Sequence, residues 1–178
     1  MTAPAHAADD VTSEERSSAH IGLDDLARLS EIAHADLRDY ISRDPASRET
    51  FEKKIICVTL CQGAARHFVD KTNGVKDFDI FTFFAADGSR KFPERRRGVR
   101  DFGPSHFGRH PDDQGFIGRR VDVMGRSIAR DPSESPIQAV CNYLRQKPTE
   151  TAWNLAQKAV VVIDPPDLRG TILWPGET

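Results

Sequence analysis

The sequence lacks any apolar run long enough to cross a bilayer, so no membrane-spanning helix and no membrane partner are expected. It has only three cysteines, Cys57, Cys61 and Cys141, set among apolar residues. Cys57 and Cys61 stand at C-x3-C spacing with no further Cys/His pair at zinc-finger spacing, so all three are expected as buried free thiols, as in a reducing cytosol. A large excess of either charge is missing: the formal net charge is -2, and the whole-molecule field does not mark a nucleic-acid binder. No internal repeat is visible. Met1 to His20 is small, polar and acidic, without the positive-then-apolar order of a signal peptide. Residues 1–22 are therefore expected as a flexible tail, and the protein as cytoplasmic.

What remains is ordinary globular material. The chain has 178 residues, 38% hydrophobic and 29% charged, enough for one domain over 23–178 but hardly two. Leu23, Leu26, Leu29, Ile32, Ala33, Leu37 and Ile41 recur at steps of three and four, which predicts an amphipathic helix ending before Asp44-Pro45. A short helix follows from Ser47. A buried strand is expected over 55–60, then a helix over 64–71 after Gln62-Gly63, and a turn at Asn73-Gly74. Residues 78–85 read as an apolar strand and 119–128 as another. Pro136 opens a helix to about Gln146, Pro148 opens one through Gln157, and 159–163 form a last strand stopped by Pro165-Pro166. The pattern is α/β (α+β), a central mixed sheet flanked by helices.

The chemistry concentrates in carboxylates. Asp77 and Asp79 are one residue apart on a predicted strand, so both point to one face while Phe78 and Ile80 point into the core. Two carboxylates this close repel unless a cation lies between them or one is protonated. Mg2+ suits such a pair because it takes carboxylate oxygens and leaves room for waters and substrate phosphates. The alternative is two strand-start carboxylates facing water. Asp122, within Val121-Asp122-Val123, would complete a three-carboxylate cluster if its strand lay beside the first. On the solvent face of a half-exposed strand it would instead pair with Arg119 or Arg120. Gly63 closes a strand and opens a helix, and with Ala64 it presents free N–H groups and a positive helix end suited to phosphate.

Together these residues resemble the nucleotidyltransferase superfamily of the polymerase β type. Its pattern is Gly-Ser or Gly-Gly at a strand-to-helix turn, h-D-h-D-h on the next strand, and a third carboxylate on a later one. Here it reads Gly63-Ala64, Asp77-Phe78-Asp79-Ile80 and Val121-Asp122-Val123. The resemblance covers about residues 55–128 and implies a nucleotidyltransferase-like fold. It also implies transfer of NMP from an NTP such as ATP to an acceptor, which could be a small molecule, a protein or RNA. Asp77, Asp79 and Asp122 would be the catalytic and metal-binding residues, holding two Mg2+ ions, with Asp122 helping to deprotonate the acceptor. Gly63 and Ala64 would lie at the phosphates. Ala64 lacks the hydroxyl of the usual serine, so its contact would be through the backbone.

Between the second and third carboxylates lie Arg90, Lys91, Arg95, Arg96, Arg97, Arg100 and Arg109, interleaved with Phe92, Phe102 and Phe107. Such a mixture can hold phosphates through arginine and stack bases on rings. The plain alternative is a solvated loop whose arginines balance acids elsewhere. His106 and His110 near Asp112, and His67 after Gly63, are expected to be structural rather than ligands. A non-catalytic nucleotide- or nucleic-acid-binding domain of the same fold is the competing function. A metal-dependent nuclease is disfavoured because no lysine stands in an E-x-K arrangement.

Overall fold

The computed structural model describes residues 16–88 and 90–175. Helix α1 (Leu23–Ile41) begins where the Gly22 N–H donates to Asp25 Oδ2 at 2.8 Å. Its residues Leu26, Leu29, Ala33, Leu37 and Ile41 are buried, the stripe that their spacing dictates. The Asp44 carboxylate accepts the Ala46 N–H to start α2 (Pro45–Phe51), and a 3-10 turn leads into β1 (Ile55–Cys61). Helix α3 (Gln62–Asp70) leaves β1 directly and stops at Lys71, which takes a left-handed φ of 63°. The strands β2 (Phe78–Ala86), β3 (Gly98–Asp101) and β4 (Arg120–Ala129) follow. Ser135 caps α4 (Pro136–Gln146) and Thr149 caps α5 (Glu150–Leu155), each through its hydroxyl. Strands β5 (Val160–Asp164) and β6 (Ile172–Trp174) end the fold.

The six strands form one sheet in the order β3-β4-β2-β1-β5-β6. Every neighbouring pair is antiparallel except β2 and β4, which run parallel. A parallel pair needs a long crossover, and residues 87–119 supply it. Alternation along the strands then divides the core. Phe78 and Ile80 join Leu60, Val121 and Val123 under α1 and α3, while Phe81 and Phe83 join Val140, Leu144 and Leu155 under α4 and α5. A third cluster, Leu37, Ile41, Phe51, Phe84 and Phe92, fills the end of α1. The architecture is the expected mixed α/β one, a central mixed sheet flanked by helices.

The differences are local. Strand β3 was not expected, because Gly98–Asp101 has one apolar residue, Val99, and that residue is exposed. Helix α5 starts after Thr149 rather than at Pro148 and ends before Gln157. Residues 16–22, inside the expected tail, are packed: Ser17 pairs with Val75 and Ile21 is fully buried. Residues 1–15 of that span lie outside the described ones. Cys57 and Cys61 are free and buried, and Cys141 is free and partly buried. Burial pushes the Cys57 thiol up to about 12, and the Cys61 thiol rises for the same reason, so neither is a ready nucleophile. No helix among the described residues is long and apolar enough to cross a membrane.

Candidate functional site

The end of β1, the start of β2 and the middle of β4 meet below α5, leaving an open cavity of about 400 Å³. Asp77 and Asp79 both line it, as do Gln62 and Gly63 from the β1–α3 turn. Asp77 sits one residue before β2 and Asp79 on it, so the two-residue repeat brings both carboxylates to this space. Phe81, two residues on, forms part of the floor with Met124. The opposite wall carries Arg97, Thr151, Asn154 and Lys158.

Asp79 is the perturbed group. Burial, then the charges of Asp77 and Asp122, push its carboxyl up to about 7, and Arg97 and Lys158 only partly offset them. A carboxylate in this state gains from any cation that reaches it. Asp122 is brought to the same place by the sheet: β2 and β4 pair in parallel with Asp79 opposite Asp122. Its carboxylate is buried and already paired, since Oδ1 accepts from Arg120 Nε at 3.1 Å and Nη2 at 2.9 Å. Asp122 does not line the cavity.

The donor set fits a hard divalent ion at the acidic pair rather than an all-protein cage. Among the described residues, no three His, Cys, Asp or Glu side chains converge closely enough to enclose a metal. Mg2+ does not require that; it is commonly held by one or two carboxylates together with waters and substrate phosphates. Asp77 and Asp79 supply those two, and Asp79 in particular lacks a cation of its own at hydrogen-bond distance among the described contacts.

The turn at Gly63 is tightly built. Gln62 has φ 59°, a left-handed conformation that costs a residue with a Cβ about 1 kcal/mol or more. Asn73 Nδ2 donates to Gly63 O at 2.9 Å and steadies the turn from outside. Cys61, at the N-cap of α3, gives its helix no side-chain capping bond, which leaves first-turn N–H groups to other acceptors. Gly63 therefore stands where expected. The Ala64 methyl is buried in the core under α1 and α3, away from the cavity lining, which leaves only its backbone for a phosphate contact.

The basic connection resolves mostly into structure. Arg90 pairs with Asp44 at 2.7 Å, Arg100 pairs with Asp36 and Asp39 at 2.8 Å each, and Arg96 pairs with Asp36. Phe92, Phe102 and Phe107 are buried, and Phe78, Phe102 and Phe107 contact one another edge to face or tilted. Withdrawing such a ring costs about 2–3 kcal/mol, as much as stacking a base would return, so these rings are core and not a base platform. Arg97 is the exception, reaching the cavity from just before β3. His67 is buried; its Nδ1 accepts the Gly74 N–H at 2.9 Å, so Nε2 donates to Ala19 O at 3.0 Å. His106 reaches His20 O at 3.1 Å, a long-range contact, and the His110 ring accepts the Asp112 N–H, a local one.

Sequence reasoning missed Lys158, Thr151, Asn154, Gln62 and Arg16 as cavity residues. No spacing links Thr151, Asn154 and Lys158 to the carboxylates, because α5 and the residues after it reach the site only through the order of strands in the sheet. Comparisons with protein-family models, curated proteins and solved structures gave no match.

Proposed function

We propose that the protein is a Mg2+-dependent nucleotidyltransferase with a nucleotidyltransferase-like fold, moving NMP from an NTP to an acceptor. The carrying observation is the shared cavity: Asp77 and Asp79 face the same space as the Gly63 turn, and Asp122 stands in register with Asp79. Asp77 and Asp79 would hold the metal, which when bound supplies neutralisation of phosphate charge. The first-turn N–H groups of α3 beside Gly63 would receive phosphate oxygens, with Arg97 and Lys158 on the far wall taking those that remain. In this reading Asp122, in register with Asp79, would take the proton from an acceptor hydroxyl.

The test is consumption of labelled NTP with Mg2+ across a panel of small-molecule, protein and RNA acceptors. Asp79→Ala should abolish turnover while circular dichroism stays native, and unchanged turnover in that variant overturns the assignment.

Two observations favour a second reading, a non-catalytic nucleotide-binding domain. Arg120 already occupies Asp122, and Ala64 offers no hydroxyl. Calorimetric binding of Mg2+-NTP with no turnover on any acceptor would select that reading.

A further inference from the structure

Arg120 and Asp122 lie on one face of β4, two residues apart, and the guanidinium gives both of its contacts to a single carboxylate oxygen, at 2.9 and 3.1 Å. Asp122 is 6% exposed, so the pair is shielded from water on the carboxylate side. After Asp122, the charges that act on the Arg120 guanidinium are those of Asp77 and Asp113. Arg120 is always charged and cannot withdraw by losing a proton.

We infer that Arg120 takes the place of a second metal ion, so that the site binds one divalent cation, on Asp77 and Asp79, and none on Asp122. The inference rests on the metal reading of the acidic pair. The Asp122 carboxylate is buried, does not line the cavity, and already holds Arg120, a cation tethered to it through two residues of strand. Arg120 thus acts as a positioning residue, holding Asp122 as a fixed acceptor. It departs from the arrangement of two ions that the sequence pattern implies.

The test is equilibrium titration of the full chain with Mn2+ alone, followed by the electron paramagnetic resonance signal of the free ion. Wild type should bind one ion per chain, Arg120→Met two, and Arg120→Lys one, because lysine restores the charge. Asp79→Asn should lose the ion. Two ions on wild type, or one on a folded Arg120→Met, overturns the inference while leaving the metal reading intact. No ion on wild type overturns both. Should Arg120→Met fail to fold, Asp122→Asn decides: one ion bound within about twofold of wild-type affinity upholds the inference, and a loss of tenfold or more overturns it.

Discussion

Asp79 on β2 faces Asp122 on β4 across a parallel strand pair, while Cys61 on β1 flanks Asp79 on its other side. The sheet thereby sets a partly buried carboxylate between a neutral thiol and a like charge. Burial there, then the charges of Asp77 and Asp122, push the Asp79 carboxyl up to about 7.

Stability should therefore depend on pH through Asp79. Its folded carboxyl titrates near 7 against 3.8 for the free group, so the folded state binds more protons in between and loses stability as pH rises through that window. In EDTA, Asp79→Asn should be more stable than wild type at pH 8 by roughly 2–4 kcal/mol. The gain should vanish near pH 4, where wild-type Asp79 is protonated. Denaturant midpoints at both pH values measure this, and equal differences at the two would contradict it.

Lys158 and Arg97 are exposed on the wall facing the acidic pair, so they should matter for anions and little for folding. Lys158→Ala and Arg97→Ala should each weaken Mg2+-NTP binding about tenfold, the usual worth of a charge-assisted hydrogen bond. Melting temperature should stay within about 2 °C of wild type, consistent with a surface substitution. Isothermal titration gives the first quantity and scanning calorimetry the second; nucleotide affinity that ignores both substitutions would remove them from the site.

Asp36 is buried on α1 and meets Arg96 and Arg100, and Gly98 lies so close that a Cβ there would overlap both carboxylate oxygens. Gly98→Ala should lower the melting temperature by about 4–8 °C, corresponding to a cost of about 2 kcal/mol for forcing the pair apart. Asp36→Ala should cost about 3 kcal/mol or more, since two arginines lose a buried partner. A melting temperature unchanged by Gly98→Ala would mean that β3 can shift away without loss.

His67 joins three segments by accepting from Gly74 and donating to Ala19. His67→Phe fills the volume and leaves a buried donor and a buried acceptor without partners, a cost of about 1–3 kcal/mol each way. Hydrogen exchange should then rise at Gly74 and across residues 17–21 before it rises in the sheet. Uniform protection in the variant would show that the histidine does not hold that segment.

Much of the framework could be read from local patterns. Helix α4 begins and ends where Pro136 and Gln146 suggest, and β2 takes the alternation that separates Phe78 and Ile80 from Asp79 and Phe81. Those features depend on neighbours in sequence. The missing parts depend on neighbours in space. Strand β3 is held by pairing with β4 and by Asp36 fitting against Gly98, and neither leaves a periodic trace. The same holds for Lys158 and Thr151, which meet the carboxylates only because α5 crosses that end of the sheet. The arginine-rich connection misleads in the opposite direction: composition suggests a binding loop, whereas burial of Phe92, Phe102 and Phe107 makes it an internal strut.

The fit of Asp36 against Gly98 reaches one residue further. Arg97 leaves the chain between Arg96, ion-paired to the buried Asp36 carboxylate, and Gly98, packed closely against it, so its backbone is held before any ligand arrives. A cation on a free loop must lose conformational entropy in every encounter. One mounted on so rigid a base has lost most of it during folding, and its attraction for an anion is correspondingly less diluted.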